Sequence, residues 1–428
     1  MDLYANPVTS FRDEVTLRIV QGNIELPTTV RFSGAGGYAA VRVTPRGEGI
    51  VRLEATTRAG ILRARSNPMQ VFREAPAEQT YWGDLHSHTR HSWDGVGDGV
   101  FDYARYVAGL DFHAVTDHSQ AGADGFTQGL GPAIWTEYQA ATDAHNAPGR
   151  FVTLHAYEAS FPAPYGHHNV YFRGAPGPLL APQRVTLPEL WDALEAGRAL
   201  TIPHHTGKFP QPISVVDHDT ELRRNFEIYS AHGLSEAYDP THPLAFEQSD
   251  FTNYSTSAPQ GLTAQDAWAQ GLRLSTIAAS DDHRSHPGQP HWGIAAVTAP
   301  ELTRAAIFDA RHQRRTYGTT GARILLDFRV NDEPMGGETG TNDAPHLQVT
   351  AHGTDRIQSV EVLRYSEPGD EFRVIFDLHP DALDVEWSST DEGFRDEAVY
   401  YVRLTQRGHT RGRIVMAWTS PIWVRQSP

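Results

Sequence analysis

The sequence predicts an α/β protein. A (β/α) barrel over residues 81–320 is flanked by β-sandwich-like domains at 1–80 and 321–428. Three observations carry this expectation. Both ends of the chain consist of short segments with period-two alternation; the middle alternates apolar strands with helical patterns; and the middle strands end in His, Asp or Glu. With 428 residues the chain also exceeds the size at which one core keeps growing.

From Glu14 to Phe72 the segments EVTLRIV, TTVRFS, AAVRVTP, GIVRLEATT and NPMQVF are separated by Gly, Pro and Asn. They predict a small antiparallel β-domain, with an immunoglobulin-like sandwich as the nearest architecture. Between Tyr81 and Tyr317, the strands WGDLHSH, DFHAVTDH, FVTLHAYE, HHNVYF, ALTIPHH, NFEIYSAHG and LSTIAASDDH are interleaved with helical patterns. Those patterns run Val100 to Leu110, Pro132 to Asn146, Leu187 to Gly197 and Thr263 to Leu272. Polar groups at successive strand ends suit a (β/α) barrel; a doubly wound open sheet also places sites there. After Gly321, RILLDFRV, HLQVTAH, SVEVLRY, EFRVIFDL, AVYYVRLTQ and RGRIVMAW predict a second sandwich, and Pro421 confines the last segment to an edge or a strand start.

Composition narrows the functional classes. The net charge of −16 works against binding a polyanion, so no nucleic-acid partner is expected. No cysteine is present, which excludes disulfides, thiolate metal sites and cysteine nucleophiles. The start MDLYANPVTSFRDE has no basic and apolar leader pattern, and no 18-residue apolar run follows, so a cytoplasmic chain without a membrane partner is expected.

Histidine is unevenly placed: none of the 22 precedes His86, and 17 lie between His86 and His291. His86 and His88 have i, i+2 spacing, which on a strand puts both imidazoles on one face. Asp94 and His118 follow; Glu158, His204 or His205, and Asp281 with His283 end later strands. A mixture of imidazole and carboxylate suits Zn, Mn or Fe rather than Ca or a thiolate zinc site. A carboxylate such as Glu158 can bridge two ions, and ions roughly 3.5 to 4 Å apart serve phosphoester hydrolysis. Of the adjacent pairs His167/His168 and His204/His205, only one member of each is expected to bind, because strand neighbours point to opposite faces. His167 and His204 are preferred.

Asp84-Leu85-His86-Ser87-His88-Thr89, Ser92 to Gly95, Thr116-Asp117-His118, Glu158, Pro203-His204 and Ser280-Asp281-Asp282-His283 resemble, in order, the motifs of the PHP (polymerase and histidinol phosphatase) superfamily. Tyr81 to His86, His167 to Val170, Glu227 to Ser230 with Ser235-Glu236, and Ser420 to Trp423 resemble a large bacterial branch of it long listed as a domain of unknown function. The resemblance implies a distorted seven-stranded barrel with a trinuclear metal centre, and two to three divalent ions per chain are expected. It implies a first ion on His86, His88, Glu158 and Asp281, and a second on Asp94, His118 and His283. A third would be bridged by Glu158 and held by His167 or His168 with His204 or His205. Asp94 stands where some members carry histidine.

Around these, Asp84 and Asp117 either orient an imidazole or cap a turn. Arg90, Lys208 and Arg284 are candidates to grip phosphate oxygens. His232, Glu236 and His91 are candidates for the site mouth. The leading expectation is a metal-dependent hydrolase, a phosphoesterase or phosphatase acting on a small molecule through a metal-bridging hydroxide, with Asp281, His232 or Lys208 handling protons. The rivals are an amidohydrolase or carbon-ester hydrolase on the same site, and a non-catalytic module stabilised by metal.

Overall fold

The computed structural model describes residues 2, 5–34, 37–119, 129–162, 164–208, 217–248, 263–366 and 371–427. Strand dominates, and the strands fall into several separately hydrogen-bonded sheets.

At the N-terminal end, Glu14–Gln21 and Gly49–Thr57 form the centre of a five-stranded antiparallel sheet with Thr29–Arg31, Arg63–Arg65 and Met69–Val71. Among the described residues the second sheet of an immunoglobulin-like sandwich is absent; beside the first there is only the ladder Ile24–Glu25 with Thr44–Pro45. Instead the sheet reaches the C-terminal part of the chain. Arg52, with no exposed surface, donates to Asp384 at 2.8 Å and to the Gly353 carbonyl at 2.9 Å.

In the middle region, Gln79–Asp84, Phe112–Ala114 and Val152–Leu154 run parallel, and Ile294–Ala299 joins antiparallel to the first. A second sheet contains Ala156–Ser160, His167–Phe172 and Ala199–Pro203, all antiparallel. A third pairs Asn225–Ser230 in parallel with Ser275–Ala278. A closed, helix-connected (β/α) barrel is therefore not shown. The reason lies partly in the link Phe161 to Gly166, six residues long. A parallel crossover needs about a dozen residues, so this link can only make a hairpin. The strand FVTLHAYE is also broken at His155 into two pieces that pair with different sheets.

What unites the three sheets is their shared interior. Leu85, Phe112, Val152, Leu154, Tyr171, Ile202, Ile277 and Val297 pack into one apolar cluster. The strand ends that leave this cluster carry the polar residues, and isolated parallel bridges join Ser87 to Asp282 and His118 to Glu158.

Among the described residues helices are few and short. Pro132–His145 starts with proline at its first turn, where no donor is lost, and Leu187–Asp192 and Ala264–Ala269 each carry a capping box, Thr186 with Glu189 and Thr263 with Asp266. Val100–Asp102 passes into a π-turn at Tyr103–Val107, shorter than the helix the sequence predicts. Arg304–His312, capped by Thr303, is a further helix that the sequence reading omits. No helix among the described residues is long and apolar enough to cross a membrane.

The C-terminal stretch is β throughout. HLQVTAH and SVEVLRY belong to one 20-residue strand, His346–Tyr365, which pairs with Leu325–Val330, Arg373–Leu378, Ala382–Thr390 and Glu397–Thr410. Strand Ile422–Gln426 begins directly after Pro421, as the missing amide hydrogen requires. Thr316–Thr319 pairs on one side with Ile294–Ala299 and on the other with Arg413–Thr419, so one sheet runs from the site-bearing region into the C-terminal region.

A candidate metal centre

The centre is assembled from strand ends. His86 and His88 leave the end of Gln79–Asp84 on the same side, as their spacing demands, and their Nε2 atoms lie 3.3 Å apart. Asp281 faces both, its Oδ1 3.2 Å from His86 Nε2 and 3.1 Å from His88 Nε2. Its backbone is in the left-handed region at φ 52°, a conformation aspartate tolerates better than most residues. The Asp281 amide donates to the His86 carbonyl at 2.9 Å, which ties the two strand ends together.

Glu158 lies at the middle of the cluster and is fully buried. Its Oε2 is 3.1 Å from His86 Nε2 and 3.2 Å from His88 Nε2. Its Oε1 is 2.5 Å from His167 Nδ1 and 3.6 Å from His118 Nδ1. On the outer side, Asp94 Oδ2 lies 3.2 Å from His118 Nε2 and 3.1 Å from His283 Nε2.

Donor atoms close enough to share an ion occur in several groups among the described residues: His86, His88, Glu158 and Asp281; His88, Asp94 and His283; His118, Glu158 and His167; and His167, His204 and His205. The groups overlap through Glu158, His88 and His167. Buried carboxylates crowded by neutralisable imidazoles fit divalent cations well, since the ions would supply the positive charge that burial otherwise makes expensive.

The two histidine pairs behave differently. His168 turns away from the cluster; its Nδ1 is 3.2 Å from the Gly166 carbonyl and its Nε2 is 2.7 Å from Arg223 Nη2. His204 and His205 both face inward, contrary to the expectation of one binder per pair. Strand alternation ends at Pro203, and His205 adopts φ 41°, which swings its ring back to within 4.6 Å of the His167 ring centre.

Glu227 is the residue the sequence reading missed. Its Oε2 is 3.0 Å from His86 Nδ1 and its Oε1 2.9 Å from His204 Nδ1, so one carboxylate fixes two imidazoles with their Nε2 atoms aimed at the cluster. Its position in the buried strand NFEIYS was a signal, because an isolated carboxylate in an apolar strand needs a partner. Asp84 and Asp117, by contrast, hold backbone. Asp84 accepts from the amides of His86, Ser280 and Gly288, and Asp117 accepts from the Thr89 amide and hydroxyl. Ser92 and Ser160 take the orienting role instead, 2.8 Å from His88 Nδ1 and 2.6 Å from His118 Nδ1.

His232 bridges Asp281 Oδ2 at 2.9 Å and Glu247 Oε2 at 2.7 Å, with Lys208 Nζ 3.4 Å from its ring. Arg284 is exposed beside the cluster. Arg90 pairs with Asp98 on the surface at 3.1 Å, and Glu236 lies away from the site, holding Tyr401 and Trp418.

Charge divides the centre into two halves. Burial works to discharge His86 and His88, but Asp281 and Glu158, with Glu227 at His86, outweigh it. His86 is raised well above its usual value and His88 to about 10. His204 and His205 are depressed well below the usual range, by burial first and then by neighbouring cationic groups. At neutral pH the first pair must therefore lose protons before ligating an ion, and the second pair has none to lose. Proton release measured by titration calorimetry in buffers of different ionisation enthalpy will show that cations filling the His86/His88 position displace protons. Affinity there will rise with pH between 6 and 9, while binding at His204/His205 stays nearly flat.

A family model described as a protein of unknown function (DUF3604) matches residues 231–349. Uncharacterized proteins of Chlamydia trachomatis serovar D and Chlamydia pneumoniae are each 26% identical to this chain, covering 88% and 84% of it. The matches cover 62% and 59% of those proteins, so the chain spans about three fifths of the curated relatives' length. Among solved structures, a two-domain protein from Bacteroides vulgatus containing a predicted PHP-like metal-dependent phosphoesterase is 13% identical. That match covers 82% of this chain and 96% of the other, with a TM-score of 0.40.

Proposed function

We propose that the chain is a metal-dependent hydrolase, and within that class a phosphoesterase acting on small molecules. Two to three divalent ions, Zn, Mn or Fe, would be held by His86, His88, Asp94, His118, Glu158, His167, His204, Asp281 and His283, with His205 added. The observation that carries this reading is Glu158: one buried carboxylate whose two oxygens belong to two different donor groups. A structural site needs only about four closed ligands; overlapping groups around a shared carboxylate suit adjacent ions. The PHP-like order of motifs, and the strand ends gathered around the cluster, support a distorted PHP-type barrel as the underlying architecture.

Bound ions supply Lewis acidity toward a phosphoryl oxygen and a nucleophile near neutral pH. The chain's own residues do the rest. Glu227, Ser92 and Ser160 hold imidazole rings in place. His232, set between Asp281 and Glu247, holds the Asp281 carboxylate in place and can exchange a proton with it, and Lys208 and Arg284 attract the anionic substrate against the net negative charge of the chain.

A panel of aryl phosphate mono-, di- and triesters set against amides and lactones, run on wild type and Asp281→Asn with metal content measured on both, tests the reading. Expected are phosphoester turnover with at least two ions per chain, and a loss of more than about 100-fold in kcat for the variant. Turnover confined to carbon esters or amides would overturn the phosphoesterase assignment. Fewer than two ions per chain under metal-replete conditions would overturn the multinuclear one.

A further inference from the structure

A cavity of about 250 Å³ opens beside Asp281 and His283. It is smaller than the roughly 300–1,000 Å³ of sites for drug-sized ligands, so it suits one compact group. Arg284, His291, Trp292 and Arg411 also line it. Arg411 comes from the turn between Glu397–Thr410 and Arg413–Thr419, in the C-terminal region, and is held at φ 50°. Its Nη1 donates to Gln289 Oε1 at 3.3 Å; Gln289 in turn lies 3.4 Å from Asp282 Oδ1, next to the ligand Asp281.

The acidic groups in the wall are already engaged. Asp282 accepts from Gln289 and from the amides of Arg284 and His286, and Asp281 belongs to the ion cluster. The two arginines are exposed at the rim. His291 is 7% exposed, has the left-handed φ of 93°, and its Nδ1 is buried with no hydrogen-bond partner among the described residues. Burial, then Arg413 and Arg411, lower it to about 4, so the ring is neutral and keeps one N–H to donate. Two exposed guanidinium groups lining one cavity beside the ion cluster, with a neutral imidazole in its wall, mark a place suited to an anionic ligand group.

We infer that this cavity receives the leaving group of the ester, and that Arg411, Arg284 and His291 select a leaving group bearing its own anionic substituent, a carboxylate or a second phosphate. The inference rests on the phosphoesterase reading for what lies at the ions. The C-terminal region thereby contributes a side chain to substrate recognition.

The test compares phenyl phosphate with 4-carboxyphenyl phosphate and phenylene bisphosphate on wild type, Arg411→Gln and Arg411→Lys. Binding of the product alcohols 4-hydroxybenzoate and phenol is followed in parallel by ligand-observed NMR. Arg411→Gln should lower kcat/KM for the two anionic esters by about 10-fold or more, mostly through KM, and that for phenyl phosphate by less than about 2-fold; the lysine variant should recover part of the loss. Wild type should bind 4-hydroxybenzoate and Arg411→Gln should not. Equal effects on charged and neutral esters, or hydroxybenzoate binding unchanged in the variant, overturn the subsite and leave the phosphoesterase reading standing. Arg411-dependent hydroxybenzoate binding without turnover of any phosphoester sinks the phosphoesterase reading and keeps the anion subsite. The bisphosphate and carboxylate arms show which anion is preferred.

Discussion

Glutamine in place of Glu158 will empty more than one ion position at once and reduce turnover by more than about 100-fold, above the 10–100-fold typical of residues that only support ligands. The isosteric change keeps the volume and removes the charge. Glu158 Oε2 serves the His86 and His88 side and Oε1 the His167 and His118 side, so the loss falls on two donor groups. Elemental analysis of the purified variant, beside turnover under metal-replete conditions, checks this. A variant that loses one ion or none would show that the shared carboxylate does not join the groups. Glu158 is also held well below the usual carboxylate range: burial opposes ionisation, and His118, His167 and His86 overcome it. The charge that glutamine deletes is therefore present at neutral pH.

The second large effect concerns stability. Glu236 is buried, accepting from Tyr401 Oη at 2.6 Å, Trp418 Nε1 at 2.7 Å and Arg403 Nη1 at 3.1 Å. Tyr401, Trp418 and Arg403 lie in the strands Glu397–Thr410 and Arg413–Thr419, so this one carboxylate gathers three donors from the C-terminal sheet. Glu236→Ala takes the acceptor from buried Tyr401 and Trp418, while Arg403 keeps Glu361, and is expected to cost about 2–5 kcal/mol, seen as a melting temperature lower by at least about 3 °C. Glu236→Gln, which keeps an acceptor, should lose less. Unchanged melting of the alanine variant would mean that the three donors find other partners. Because Glu236 lies outside the ion groups, the folded fraction should keep its metal content.

Most of the candidate donor side chains were legible in the sequence because a short apolar run stops there at His, Asp or Glu. His86, His88, Asp281 and His283 follow strand ends, Glu158 stands in the middle of Ala156–Ser160, and all meet in one cluster. Glu227 was hidden because it interrupts an apolar run from within, where period and polarity give no direction. His205 was misjudged because alternation was extended past Pro203 into a residue with positive φ. The architecture was legible as β–mixed–β, but pairing was not. Whether neighbouring strands run parallel depends on link length, and the six-residue link at Phe161 to Gly166 favours a hairpin over a crossover. Most N-terminal segments are strands as expected, with AAVRVTP reduced to Thr44–Pro45, yet nothing local shows that Arg52 will find Asp384.

His88 and Asp281 are separated by 193 residues, and Arg52 and Asp384 by 332. On a ribosome adding about 5–20 residues per second, about 10–40 s pass between the synthesis of His88 and that of Asp281. Any cation captured in that interval is held by an incomplete set of ligands and can exchange. Enclosure waits for Asp281 and the loop to Gly288, whose amide pins Asp84. On the metal-dependent reading proposed above, the ion retained would be the one present when that loop closes.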